Sequence, residues 1–219
     1  MNLFEIPEKE EQKKQNAISF INAAQIIIDN DGLENISIRK IALEAGFHNS
    51  TIYLYFQNSD ELVMLASMKY FREYSHSLKL QSEWHLPPNE NFIKIWELFA
   101  DTIFERPNLF YNFFFGKLSD DISVIMDRYY NLFPEEREEF SRDIEEMYFE
   151  KNLLSRSLRI LQPLVSEKNN VTAENIHMLN EITTACSKYK LEQKRSHMDW
   201  DTEKLKQELL ADISYIIGI

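Results

Sequence analysis

The sequence predicts an all-α protein, and three observations carry that prediction. Only four of the 219 residues are Gly and six are Pro, too few for the frequent turns of a sandwich or barrel. Apolar residues recur at three- and four-residue spacing through most of the chain, the period of one helix face. Where that spacing breaks, capping residues or prolines stand. The chain therefore reads as a three-helix N-terminal head containing a helix-turn-helix, a connecting fourth helix and a larger C-terminal helical bundle, nine to ten helices in all.

From about Glu10 to Asn30, Ala17, Ile18, Ile21, Ala24 and Ile28 mark one helix face, and Asp31-Gly32 ends it with a residue free to adopt positive φ. Ser37 is a good N-cap for a second helix, with Ile36 and Ile41 placed for a hydrophobic staple. That helix runs to about Ala45, where Gly46 turns the chain. A third short helix is expected over about Asn49 to Tyr55. A fourth opens at Asn58, where Glu61 completes a capping box, and continues to about Leu80. The stretch from Trp84 to Glu90 reads as a connector because Pro87 and Pro88 stand in series. Helices are then expected over Phe92–Glu105, Pro107–Gly116, Ser119–Phe133, Pro134 to about Glu167, Thr172–Arg195 and Asp201–Ile217. Pro107 and Pro134 suit first turns, and Pro163 should bend or end the long segment.

Bulk chemistry narrows the function classes. The N-terminal MNLFEIPEKEEQKKQN lacks the apolar core of a signal peptide, and no run reaches the length of a membrane span, so a soluble cytoplasmic protein is expected. The single cysteine, Cys186, excludes an internal disulfide framework and reads as a buried structural residue. The five histidines are scattered, with no metal-ligand spacing, and there is neither a phosphate-binding loop nor a nucleophile elbow. No enzyme activity, cofactor or metal is expected. The net charge of −12 argues against nucleic acid, since phosphates call for Lys and Arg.

Against that charge stands the stretch Ile36 to Phe56. Two short helices joined by a glycine-containing turn cross steeply. Ile38, Ile41, Ala42, Phe47, Ile52 and Phe56 would fill the space between them and the first helix. The opening turn of the second short helix would then face outward with His48, Asn49, Ser50 and Thr51, hydrogen-bonding groups suited to a major groove. The stretch resembles the TetR family (TetR/AcrR-type) of transcriptional regulators. Matching features are Ala23-Ala24, Gly32, Ser37-Ile-Arg-Lys-Ile-Ala, Ala45-Gly46-Phe47, Thr51-Ile-Tyr53-Leu-Tyr55-Phe56 and Asn58-Ser-Asp-Glu61-Leu62. The similarity covers residues of about 15 to 65.

The resemblance implies a repressor that binds a palindromic double-stranded operator as a homodimer and is released by a small effector. It divides the chain into a DNA-binding domain, 1–71, and a ligand-binding and dimerisation domain, 72–219. Ser37 and Arg39 fall where the family contacts phosphates or bases. His48, Asn49, Ser50 and Thr51 head the recognition helix, with Asn49 suited to adenine. Tyr53 and Tyr55 fall where phenols bond phosphates, and Leu54 either touches a thymine methyl or packs. The family's frequent Lys is missing at Ser59. Residues 1–71 carry six Lys or Arg against ten Asp or Glu, a net of 6 − 10 = −4, so a shallow salt dependence of binding is expected.

In the second domain, Trp96, Phe99, Phe104, Phe110, Phe113, Phe114, Tyr129 and Phe133 are candidates for walls of a pocket for a small apolar or aromatic effector, or for ordinary core. Two apolar stripes, Ile176, Leu179, Ile182 and Cys186, and Leu205, Leu209 and Ile213, occupy the place of the family's dimer helices. They would meet a second subunit or bury against their own. Two other readings use the same residues: an architectural or cell-cycle DNA-binding protein with a protein partner, and an interaction module whose acidic head no longer binds DNA.

Overall fold

The computed structural model describes residues 5–166 and 168–219. Eleven α-helices are present among them and no strand, as the composition predicts. They are α1 Glu5–Asp31, α2 Ile38–Glu44, α3 Ser59–Ser67, α4 Arg72–Ser82, α5 Pro88–Glu105, α6 Pro107–Phe115, α7 Ile122–Leu132, α8 Arg142–Tyr148, α9 Leu153–Leu161, α10 Ile176–Ser196 and α11 Thr202–Ile217. Two compact units result. One takes the chain up to Lys69 together with Ile125–Glu136; the other takes Tyr70–Val124 and Arg137–Ile219. A single boundary near residue 71 does not anticipate the return of Ile125–Glu136 to the first unit.

In the first unit α1 packs on α2 and α3. Its inner face holds Ala17, Phe20, Ile21, Ala24, Ile27 and Ile28, all buried, the face that the 3.6-residue period marks out. Phe20 is the hub, with its ring centroid 4.8 Å from Phe47, 5.7 Å from Tyr55 and 6.2 Å from Phe56. From α7 the unit takes the buried Ile125, Met126 and Tyr129. The Tyr129 hydroxyl donates to Glu136 Oε2 at 2.7 Å. Burial pushes this phenol well above its ordinary range, so it remains a donor.

In the second unit α5 is central, packed by α4, α6, α9, α10 and α11. It buries Phe92, Ile95, Trp96, Phe99, Ala100, Ile103 and Phe104. Pro88, expected in a connector, is instead the first residue of α5. Its missing N–H is harmless there because a first-turn amide has no intrahelical partner. The long helix expected from Pro134 is broken. A 3₁₀ turn at Pro134–Glu136 and a non-helical stretch precede α8. Asn152 then restarts the chain as α9 by accepting from the Ser155 N–H at 2.9 Å. Pro163 lies in a 3₁₀ turn just after α9, ending it as expected. Cys186 is half-buried rather than buried, and partial desolvation raises its thiol pKa. Among the described residues no helix is long and apolar enough to cross a membrane.

The stripes assigned to a dimer face need correction. Ile176, Leu179, Leu205, Leu209 and Ile213 are buried within the chain itself, because α10 and α11 pack on each other and on α5. Ile182 alone of that set remains exposed, at 40%. With it, Met178 and Tyr189 on α10 and Tyr215 on α11 leave large apolar groups uncovered.

Candidate functional site

Three local devices shape the exposed edge of the first unit. Ser37 caps α2 by accepting from the Lys40 N–H at 3.3 Å. At the other end the chain turns through Gly46, whose φ of 76° is a left-handed value that favours glycine. The Phe47 N–H reaches the Ala42 carbonyl at 2.9 Å and the Gly46 N–H reaches Leu43 at 3.2 Å. This pair of bonds is a Schellman termination. Asn58 caps α3 by accepting from the Glu61 N–H at 2.9 Å. The Glu61 carboxylate accepts from the Gln57 N–H at 2.6 Å, one residue earlier than a standard capping box.

Between these caps, Asn49–Leu54 is a 3₁₀ helix, not the α-helix expected. Six residues are too few to profit from α-helical cooperativity, and β-branched Thr51 and Ile52 lower the propensity further. The tighter winding repeats every three residues. Ile52 and Tyr55 therefore face inward, and Tyr53 and Leu54 stand out at 60% and 78% exposure. Asn49 and Ser50 are exposed and Thr51 half-buried. His48 caps the segment, with Nδ1 accepting from the Ser50 N–H at 3.3 Å and 2.8 Å from Ser50 Oγ.

Tyr55 differs from its expected role. Its ring packs on Phe20 and its hydroxyl accepts from Asn16 Nδ2 at 2.8 Å, so it braces the segment against α1. Arg39 is exposed on α2. Lys40 and Lys69 pair with Asp31 at 3.1 Å and Asp29 at 2.7 Å, with both lysine side chains nearly half exposed. One group escaped the sequence reading. Arg128 of α7 bonds both the Glu61 carboxylate and the Tyr55 carbonyl, with its guanidinium 5.2 Å from the Phe56 ring centroid.

The second unit contains an aromatic-walled cavity. It is lined by Tyr74, Ile95, Trp96, Phe99, Met147, Leu153, Arg156, Ser157 and Ile160. Its empty space, mouth included, is about 260 Å³. Of the eight aromatics proposed from sequence, Trp96 and Phe99 line it. Phe104, Phe110, Phe113 and Phe114 are buried in the same unit without lining it. Several of these rings pack around Phe71, with Phe113 stacked on it at 5.3 Å. Tyr129 and Phe133 pack on each other in the first unit, ring centroids 4.7 Å apart.

A capped helix, a Schellman turn and a short segment offering uncommitted amide and hydroxyl groups are the parts of a helix-turn-helix DNA reader. Residues 20–64 match the family described as bacterial regulatory proteins, tetR family. An uncharacterized HTH-type transcriptional regulator of Haemophilus influenzae is 28% identical over 100 residues, 46% of this chain and 54% of that protein. The match thus spans about half the length of that curated relative. The fold is similar to that of RolR in complex with resorcinol, with a TM-score of 0.61 and 16% identity over 95% of this chain and 90% of that one. It is also similar to Thermus thermophilus FadR, a TetR-family repressor in complex with lauroyl-CoA, with a TM-score of 0.60 and 12% identity over 93% and 95% of the two chains. Bacillus subtilis FadR with stearoyl-CoA gives a TM-score of 0.57 and 14% identity over 92% and 99%. At such identities the likeness is one of fold. The motif of residues 20–64 is thus similar to that of the TetR family of transcriptional regulators.

Proposed function

We propose that the protein is a ligand-responsive repressor that binds a palindromic operator as a homodimer and leaves it when a small molecule occupies the second unit. The observation that carries the DNA reading is the outward face of the Asn49–Leu54 segment, where Asn49, Tyr53 and Leu54 are exposed while Ile52 anchors the segment inward. Asn49 can make two hydrogen bonds to an adenine edge, Thr51 and Leu54 suit a thymine methyl, and Tyr53 and Arg39 suit phosphates. Tyr55 acts indirectly, through Asn16. Structural relatives complexed with resorcinol or acyl-CoA support an effector site.

The roles separate by substitution. Tyr53→Phe is expected to weaken operator and random DNA alike, whereas Asn49→Ala relaxes discrimination at one base pair by about 1–3 kcal/mol. Fluorescence anisotropy against an operator series with single-base changes reads both. With Lys40 and Lys69 internally paired, the same titration across salt should give a slope equivalent to fewer than about eight phosphates per dimer. A steeper slope, or two variants with the same profile, defeats this division of labour.

For the dimer, the uncovered Met178, Ile182, Tyr189 and Tyr215 replace the buried stripes as the proposed interface. Placing a charge there should be costly only if the face is covered. Ile182→Glu is expected to convert a dimer to a monomer in sedimentation velocity and to lower operator affinity, with the melting of the second unit little changed. A dimer that persists at low micromolar concentration would move the interface elsewhere.

A further inference from the structure

We infer that the aromatic-walled cavity of the second unit binds a small apolar molecule by an uncharged carbonyl oxygen, held between the Trp96 indole N–H and the Ser157 hydroxyl. This names the chemical class of the effector in the proposed ligand response and rests on that reading. Both residues line the cavity, Trp96 from α5 and Ser157 from α9. Most of the remaining lining is apolar, with Ile95, Phe99, Met147 and Leu153 among its members.

Trp96 Nε1 and Ser157 Oγ are buried without a hydrogen-bond partner, and both residues are only 2% exposed. A buried indole N–H ordinarily finds an acceptor. For a hydroxyl on a helix the acceptor is at hand, in a carbonyl three or four residues back. The other buried Ser and Thr side chains of the described residues use it. Ser67 donates to Val63, Ser75 to Arg72, Thr183 to Leu179 and Ser187 to Thr184, at 2.7–2.8 Å. Ser157 does not, and the Leu154 carbonyl one turn back already accepts from Asn180 Nδ2 at 2.9 Å. A carbonyl oxygen brings two lone pairs for two donors, and no donor of its own that would need a further partner.

The site does not call for charge on the ligand. Among the described residues of the lining Arg156 alone is charged, and it is already engaged in the wall. The Tyr74 hydroxyl bonds it, and the rings of Phe71, Tyr74, Phe114 and Tyr148 have their centroids 5.1 to 6.0 Å from its guanidinium. The two uncommitted groups are neutral dipoles, which do not offset the cost of taking an anion out of water. Between its side chains the cavity leaves room for about one water, so a ligand enters only as the walls yield. Met147 is unbranched and adaptable. Half-buried Ile160 lines both the cavity and the wider cleft beside it, which gives a way in.

Acetophenone and methyl pentyl ketone are the probes, each paired with the hydrocarbon in which a methylene replaces the carbonyl oxygen. Benzoate and hexanoate are the matching anions. Thermal melting and calorimetry of the full chain read binding without DNA. At least one ketone should raise the melting temperature saturably and bind more tightly than its matching anion. Ser157→Ala and Trp96→Phe should each lower the ratio of ketone to hydrocarbon affinity roughly fivefold, the worth of one hydrogen bond. Without ligand, Ser157→Ala should melt no lower than the unaltered protein, since its hydroxyl has no bond to lose. That variant decides the matter if Trp96→Phe does not fold. A ratio that neither variant moves overturns the inference, as does tighter binding of the anions. No shift with either ketone means that the two donors serve a lone water, and rejects it too. Release of a selected operator duplex by the bound ketone is followed separately by anisotropy. Binding without release counts against the ligand-responsive repressor and leaves the site standing.

Discussion

Truncating Phe20 to alanine is expected to destabilise the first unit by about 3–5 kcal/mol, the usual cost of removing a fully buried ring, and to abolish specific DNA binding. Phe20 is wholly buried and touches no candidate DNA-contacting side chain except Tyr55. Its ring nevertheless meets Phe47 after the Gly46 turn, and Tyr55 and Phe56 after the 3₁₀ segment. It is thus the common wall against which both ends of the proposed reading segment are set. A cavity there would leave Asn49 and Tyr53 chemically intact but no longer fixed relative to one another, and base readout needs that fixed geometry. The position of the tryptophans makes the effect measurable. Trp84, Trp96 and Trp200 all lie in the second unit. In urea, Phe20→Ala should lose part of its helical circular dichroism before tryptophan fluorescence changes, while the unaltered protein shows closer transitions. Coincident transitions at unchanged midpoints would show that the Phe20 cluster does not hold the head together.

What was legible in the sequence was local. Ser37, Gly46 and Asn58 announce caps and a turn through residues within four positions of themselves, and each makes the bond its type predicts. The helix-turn-helix could therefore be placed from one stretch of chain. Asn152 carried the same kind of signal and would have split the long expected helix before α9. The remaining differences depend on residues distant in sequence. Leu205, Leu209 and Ile213 form a regular stripe, but a stripe states only that a face is covered, and α5 and α10 cover it rather than a second subunit. The aromatic run could be read as pocket or core for the same reason. What divides it is Arg156, about 40 residues beyond Phe114, which gathers rings from several helices around one charge. A charged residue in an amphipathic segment gives no notice that it will be buried. Likewise nothing near Asn49–Tyr55 indicates that its terminal carbonyl meets a side chain 73 positions away.

That side chain is Arg128, and replacing it by methionine is expected to cost the first unit about 2–3 kcal/mol. Breaking a fully buried ion pair costs about 3–5 kcal/mol because a charge is left behind without its partner. The smaller figure reflects that the Arg128 side chain is about one-third exposed, 32%, against 11% for Glu61. The guanidinium divides its donors between the Glu61 carboxylate and the Tyr55 carbonyl, joining the close of the 3₁₀ segment to the opening turn of α3. Two acceptors at different places need a planar fork, which lysine does not have. Arg128→Lys should therefore keep part of the stability through Glu61 yet lose operator affinity, because Tyr55 is released. Pairing Arg128→Met with Glu61→Met removes both charges, and the double variant should be more stable than Arg128→Met alone. Urea midpoints by circular dichroism and operator affinity by anisotropy separate these contributions. Full affinity in Arg128→Lys would mean that the bond to Tyr55 does not position the reading segment and that Arg128 serves only to neutralise Glu61.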